Sequence, residues 1–147
     1  MPAQLLDGKK TSLKVRENIK KEVDRLKFEG KPVPGLAVVI VGENPASRVY
    51  VGQKEKACKA VGFNSILHRI PEDTEEHELL DLVEKLNKDP QVNGILVQLP
   101  LPKHMDSSRV ISSIVTGKDV DGFHPANMGK LVTGLESIHP CTPKGIM

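Results

Sequence analysis

Leu36-Ala-Val-Val-Ile-Val41 is an unbroken apolar run closed on one side by Gly35 and on the other by Gly42. It is short for a helix, rich in β-branched residues, and apolar on both of its faces. Such a run suits a strand covered above and below, the environment of a parallel sheet between helix layers. Two further strands are predicted at Asn64–Ile70 and at Val92–Leu99, the last stopped by Pro100-Leu-Pro102.

The segments between the strands read as helices. Asn44-Pro45 offers an N-cap with proline at the first helical position, and Gly62 offers a C-terminal stop, so a helix is predicted over 45–61. Asp73-Thr-Glu-Glu76 opens another with acids at its positive end, and Lys85 and Lys88 stand at its negative end. Leu79, Leu82, Val83 and Leu86 line its inner stripe. Upstream, Val15, Ile19, Val23 and Leu26 recur at helical spacing as the buried face of a helix between Gly8 and Gly30, with a lysine-rich outer face. A short helix is expected over 107–115, and 116–139 is expected to be loop-rich. Strands alternating with helices imply right-handed crossovers. The expected fold is therefore α/β: a three-layer α/β/α domain around a mostly parallel sheet.

Composition narrows the function classes. The chain has 147 residues, 38% of them apolar, which is one domain with room for a core. A net charge of +2 and 3% aromatic residues argue against a nucleic-acid footprint or a base-stacking platform. No segment approaches the ~18 apolar residues of a membrane span. The opening Met1-Pro-Ala-Gln-Leu-Leu-Asp7 lacks a basic stretch followed by a long apolar run. Cys58 and Cys141 lie far apart without CxxC spacing and read as free thiols in a reducing compartment, so a cytoplasmic protein is expected. The five histidines show no ligand spacing, and no metal is expected. No GxGxxG, Walker, GxSxG or HExxH motif is present.

Ligands of open parallel sheets bind beyond the carboxyl ends of the strands. Three features converge there. On the 45–61 helix, Ser47, Tyr50, Lys54, Ala57, Cys58 and Val61 fall in one stripe whose lower half is apolar. Tyr50 and Lys54 are thus expected to point inward, the alternative being a snorkelling lysine beside a packed core aromatic. Gln98 is an amide in an otherwise apolar strand; if buried it must find partners or forfeit about 1–3 kcal/mol. Asp121 lies in an Asp-Val-Asp-Gly turn, where Asp119 competes with it for either a ligand role or a turn role. The residues alone lead to an α/β domain with a Tyr/Lys/Gln/Asp cleft.

Four motifs in this chain, in order, resemble those of the bifunctional methylenetetrahydrofolate dehydrogenase/methenyltetrahydrofolate cyclohydrolases. They are Ser47-Arg-Val-Tyr50-Val-Gly-Gln-Lys54-Glu-Lys-Ala57, Gly94-Ile-Leu-Val-Gln98-Leu-Pro-Leu-Pro102, Lys118-Asp-Val-Asp121-Gly-Phe-His-Pro125 and Pro140-Cys-Thr-Pro143. The resemblance implies an amino-acid-dehydrogenase-like N-terminal domain over residues 1–147 that binds tetrahydrofolate. Pro140-Cys-Thr-Pro143 reads as the start of a helix with few residues left to finish it. The chain is therefore expected to be truncated before a Rossmann domain. By resemblance, Lys54 is the principal catalytic residue, Tyr50 and Gln98 bond to it and tune it, and Asp121 anchors the pterin. Ser47, Val97 and Leu99 join Tyr50, Lys54, Gln98 and Asp121 in contacting the folate substrate. NADP is the implied cofactor, held mainly by the missing domain, and a homodimer is the implied assembly, with neither nucleic acid nor membrane as partner. Two other possibilities stay open at this point: the substrate domain of a different dehydrogenase type, and a domain that only binds ligand or dimerises.

Overall fold

The computed structural model describes Leu5 and residues 7–146. The rest of the stretch Met1–Leu6, read above for a targeting signal, lies outside the described residues. Nine helices and strands follow one another as α1 Gly8–Phe28, β1 Gly35–Val41, α2 Pro45–Val61, β2 Asn64–Ile70, α3 Glu76–Lys88, β3 Gly94–Val97, α4 Ser107–Ser113, α5 Pro125–Thr133 and α6 Cys141–Ile146.

The apolar run is the middle strand. The sheet order is β2-β1-β3, and both pairings are parallel. A parallel bridge between Ile95 and Asp119 extends the far side of β3 by one residue. Along β1 alternate side chains enter two cores. Ala37, Val39 and Val41 join Ile95 and Val97 beneath Leu79, Val83 and Leu86 of α3 and Val110 of α4. Val38 and Ile40 join Leu96 beneath Val51 of α2. The sheet is thus sandwiched, with α1 packed on α2 over one face and α3 beside α4 over the other.

Chain punctuation behaves as its chemistry dictates. The Asn44 side chain accepts from the Ser47 N–H at 3.1 Å, and Gly62 ends α2 in the left-handed region at φ 84°. Lys118 closes α3: its ammonium donates to the carbonyls of Leu86, Asn87 and Asp89 at 3.0, 2.7 and 2.9 Å, covering acceptors that the last helical turn leaves unpaired.

Three expectations need correction. The third strand is shorter than 92–99: β3 ends at Val97, although the Gln98 N–H still donates to the Val39 carbonyl at 2.8 Å. The apolar face of α1 is only partly covered, since Val23 is buried but Val15 and Ile19 are 51% and 37% exposed. The helix is 21 residues, about 31 Å, long, and its one buried residue, Val23, stands in its C-terminal half. Finally, residues 116–139 contain α5 as well as a 3₁₀ turn at Thr116–Lys118. His124 caps α5 through its side chain, Pro125 takes the first helical position, and Gly134 ends it at φ 73°. Among the described residues no helix is long and apolar enough to cross a membrane.

Candidate active site

Lys54 occupies the seam between α2 and the carboxyl edge of the sheet. The buried residues of α2 are Ser47, Val51, Cys58 and Val61, and Lys54 falls within that stripe, about 20° from its centre. Its stem is half-buried and its ammonium donates to Gln98 Oε1 at 3.1 Å. Gln98 is held from both ends. Its backbone extends the β1–β3 ladder, and its Nε2 donates to the Leu99 carbonyl at 2.7 Å. A lysine offers only donors, so the amide must turn its oxygen toward Lys54, and the Leu99 carbonyl, an acceptor, then fixes the other end. The Leu99–Pro100 peptide is cis.

Asp121 approaches the same place from the loop after the 3₁₀ turn. It is half-buried, and its carboxyl accepts no hydrogen bond from the described residues. Burial is the largest influence and raises its pKa above the ordinary carboxylate value; the Lys54 charge opposes this, and the Asp119 charge adds to it. Lys54 and Asp121 therefore sense each other's charge without forming a contact ion pair.

The two aspartates of the Asp-Val-Asp-Gly turn separate cleanly. Asp119 is 3% exposed and takes the turn role. Its Oδ1 accepts from the N–H groups of Asp121 and Gly122 at 3.2 and 2.9 Å, and its Oδ2 from the His124 N–H and Asn127 Nδ2, both at 2.9 Å. Asp121 is left with a free carboxylate. Sequence reasoning left Asp119 as a competitor and missed Asn127; the legible signal was an aspartate two residues before an Asp-Gly turn, a geometry in which the first side chain folds back on the backbone.

Other expected site residues are placed differently. Tyr50 does not point inward. It is 60% exposed, and its hydroxyl makes no hydrogen bond to Lys54. The physical reason is rotational: the buried stripe includes Val51, which sets Tyr50 about 60° from the stripe's centre, beyond its buried edge. The Val97 side chain belongs to the core beneath α3 and α4, so only its backbone faces the sheet edge. Ser47 is buried at the start of α2, two turns before Lys54. Leu99 is half-buried, with its carbonyl taken by Gln98. Lys54 thus contacts Gln98 and lies within electrostatic reach of Asp121, while Tyr50 is exposed one turn earlier on α2. Among the described residues no group of His, Cys, Asp and Glu could hold a metal ion. Cys58 is buried and Cys141 exposed, both as free thiols.

A raised carboxyl pKa in the fold means that the ionised form is penalised there. That penalty is absent below the unfolded-state carboxylate pKa and grows as pH rises through the folded value. Asp121→Asn is accordingly expected to raise the melting temperature at neutral pH, with the gain shrinking to nothing as the pH falls below the ordinary aspartate range. Thermal melts of both proteins across that range check this; a variant less stable than the parent at neutral pH contradicts it.

A parallel sheet between helix layers, with an amine, an amide and a carboxylate at its carboxyl edge, defines an open α/β domain whose polar groups stand where such sheets receive ligands. A family model described as tetrahydrofolate dehydrogenase/cyclohydrolase, catalytic domain, matches residues 6–121, and the chain belongs to that family. The bifunctional protein FolD of Moorella thermoacetica is 58% identical over 147 residues, covering 100% of this chain and 52% of its own length. The crystal structure of the bifunctional FolD methylenetetrahydrofolate dehydrogenase/cyclohydrolase from Campylobacter jejuni superposes with a TM-score of 0.92 at 49% identity, covering 98% of this chain and 51% of that one. That of Trypanosoma brucei FolD, complexed with NADP cofactor and inhibitor, does so with a TM-score of 0.92 at 33% identity, covering 100% and 51%. The chain spans about half the length of the relatives it matches.

Proposed function

We propose that this chain is the tetrahydrofolate-binding, catalytic half of an enzyme that oxidises 5,10-methylenetetrahydrofolate with NADP and hydrolyses the resulting 5,10-methenyl compound to 10-formyltetrahydrofolate. The observation that carries the proposal is the meeting of Lys54, Gln98 and an unpaired Asp121 at one sheet edge.

The chemistry suits these groups. The edge of a pterin presents adjacent N–H donors, and a carboxylate accepts two at once. Asp121 is the group with that capacity left over, because Asp119 is fully engaged. Tyr50, on the rim, offers a ring face to the flat substrate. The methenyl compound is a cation that water attacks at the bridging carbon. In its neutral form the Lys54 amine accepts the proton of that water, and Gln98 Oε1 holds the amine in place through the N–H that is not used. The hydride acceptor of the oxidation step would be supplied by a nicotinamide cofactor. The turn after β1 does not fit the phosphates of a dinucleotide. The turn after β1 is Gly42-Glu-Asn-Pro45, with a single glycine and with a proline where a phosphate-facing N–H is needed. The nucleotide is therefore assigned to the part of the longer relatives beyond the region matched here. A homodimer in the cytoplasm belongs to the same proposal, supported by family membership and by two unpaired cysteines.

Calorimetric titration of the chain with 5,10-methenyltetrahydrofolate tests this. Saturable binding is expected, together with no heat from a small carboxylic acid of the shikimate or amino-acid type. The reverse pattern would place the chain with the substrate domains of other dehydrogenases.

A further inference from the structure

Asp119 makes contacts that a turn does not require. An ordinary aspartate turn closes with one or two backbone N–H groups on one oxygen. Here both oxygens are used, by four donors spread over Asp121, Gly122, His124 and Asn127. Asp119 and Asn127 are both buried, at 3% and 4% exposure, and their contact ties the loop to the first turn of α5. From the other side, the parallel bridge of Asp119 to Ile95 ties the same residue to β3, the strand that leads into Gln98. Lys118, the residue just before it, is fastened to the end of α3 by three hydrogen bonds. The backbone that carries Asp121 is thus fixed at its own N–H and at the residues before and after it, while the Asp121 side chain is left unbonded.

We propose that Asp119 is a positioning residue: its buried carboxylate, braced by Asn127, sets the place at which Asp121 presents its own carboxylate to the donor edge of a pterin. The proposal deepens the folate assignment and rests on it. Asp119 touches no substrate and acts through Asp121. Its charge also contributes to the raised pKa of Asp121, which Lys54, facing it from α2, offsets.

The test is a double-mutant cycle of Asp119→Asn with Asp121→Asn in the 147-residue chain, read as affinity for 5,10-methenyltetrahydrofolate. Asparagine keeps the shape but sets an NH₂ where N–H donors converge. Asp119→Asn alone is expected to weaken binding roughly 10- to 100-fold, the scale of a displacement near 1 Å. In the Asp121→Asn background the same substitution is expected to change affinity little, because the group it positions is already disabled. A residue with a merely structural role gives additive losses in the two backgrounds, and that result overturns the proposal, as does parent-like affinity in Asp119→Asn. If Asp119→Asn does not fold, Asn127→Ala, which removes one of the four donors, takes its place in the cycle with a smaller expected loss and the same non-additivity. Failure of the unsubstituted chain to bind the pterin overturns the folate assignment and this proposal together; binding with additive losses overturns this one alone.

Discussion

Lys54→Met is expected to lower methenyltetrahydrofolate hydrolysis by roughly 100- to 10,000-fold, the range that a positioned proton acceptor contributes. The measurement is made in a protein that also carries the length by which the relatives exceed this chain. Methionine replaces the lysine stem with one of similar length and reach, so the half-buried packing against Gln98 and the α2 stripe is kept and the amine alone is lost. A second signature accompanies the loss. The Lys54 charge lowers the Asp121 pKa, so its removal is expected to raise that pKa further and to move pterin binding to higher pH. Lys54→Arg is expected to fail as a rescue, because a guanidinium keeps its proton and cannot act as the acceptor. Undiminished hydrolysis by a folded Lys54→Met enzyme would remove the amine from the mechanism.

Gly122→Ala is expected to be strongly damaging for the addition of a single methyl group. Gly122 has φ +72°, a conformation that L side chains rarely adopt, and an added Cβ would lie 2.5 Å from the Ile138 carbonyl oxygen and 3.1 Å from the Pro140 nitrogen. Both obstacles are backbone, so the segment around Ile138–Pro140 or the Asp121 loop has to move. The left-handed conformation costs about 1–2 kcal/mol, and forcing a methyl group into a packed site adds typically 1–3 kcal/mol. A loss of stability of roughly 2–5 kcal/mol in urea unfolding is expected, together with weaker pterin binding, since Asp121 is the adjacent residue. Gly129→Ala is the control. Gly129 lies in α5 with nothing within 4 Å of an added Cβ, so the change is expected to be neutral or to stabilise by about 0.5–1 kcal/mol. Equal stabilities for the two variants would contradict the close approach of the Ile138–Pro140 segment.

What could be read from the sequence follows the strength of each local signal. The elements at Pro45–Val61 and Asn64–Ile70 match their expected limits, because Asn44, Pro45 and Gly62 punctuate the helix and the strand begins just after. The double coverage of β1 was legible in its lack of a polar position. α5 carries equally good punctuation in His124-Pro125 and Gly134, yet it lacks the apolar stripe on which helix recognition leans: Asn127 is its one buried residue. It is held by the Asn127–Asp119 contact and not by burial of a hydrophobic face. Tyr50 was misplaced for a related reason. Taking Tyr50 and Ala57 as the inner edge of the α2 stripe tilted it away from Val51, which is fully buried against Val38, Ile40 and Leu96. The turn motif named both Asp119 and Asp121 but could not assign their roles, because the assignment depends on Asn127 and on the bridge to Ile95, contacts that form only when the chain has folded.

A pterin is expected to bind at the carboxyl edge of the sheet, between α2, the end of β3 and the Asp119–Gly122 loop. Amide chemical-shift mapping of the isotopically labelled chain during titration with 5,10-methenyltetrahydrofolate tests it most directly. The largest shifts are expected at Tyr50 and Lys54, at Gln98 and Leu99, and at Asp121 and Gly122. Shifts gathered instead around Val33, Asn64, Gln91 and Asn93, which line a concavity at the opposite edge of the sheet, or no shifts at all, would contradict it.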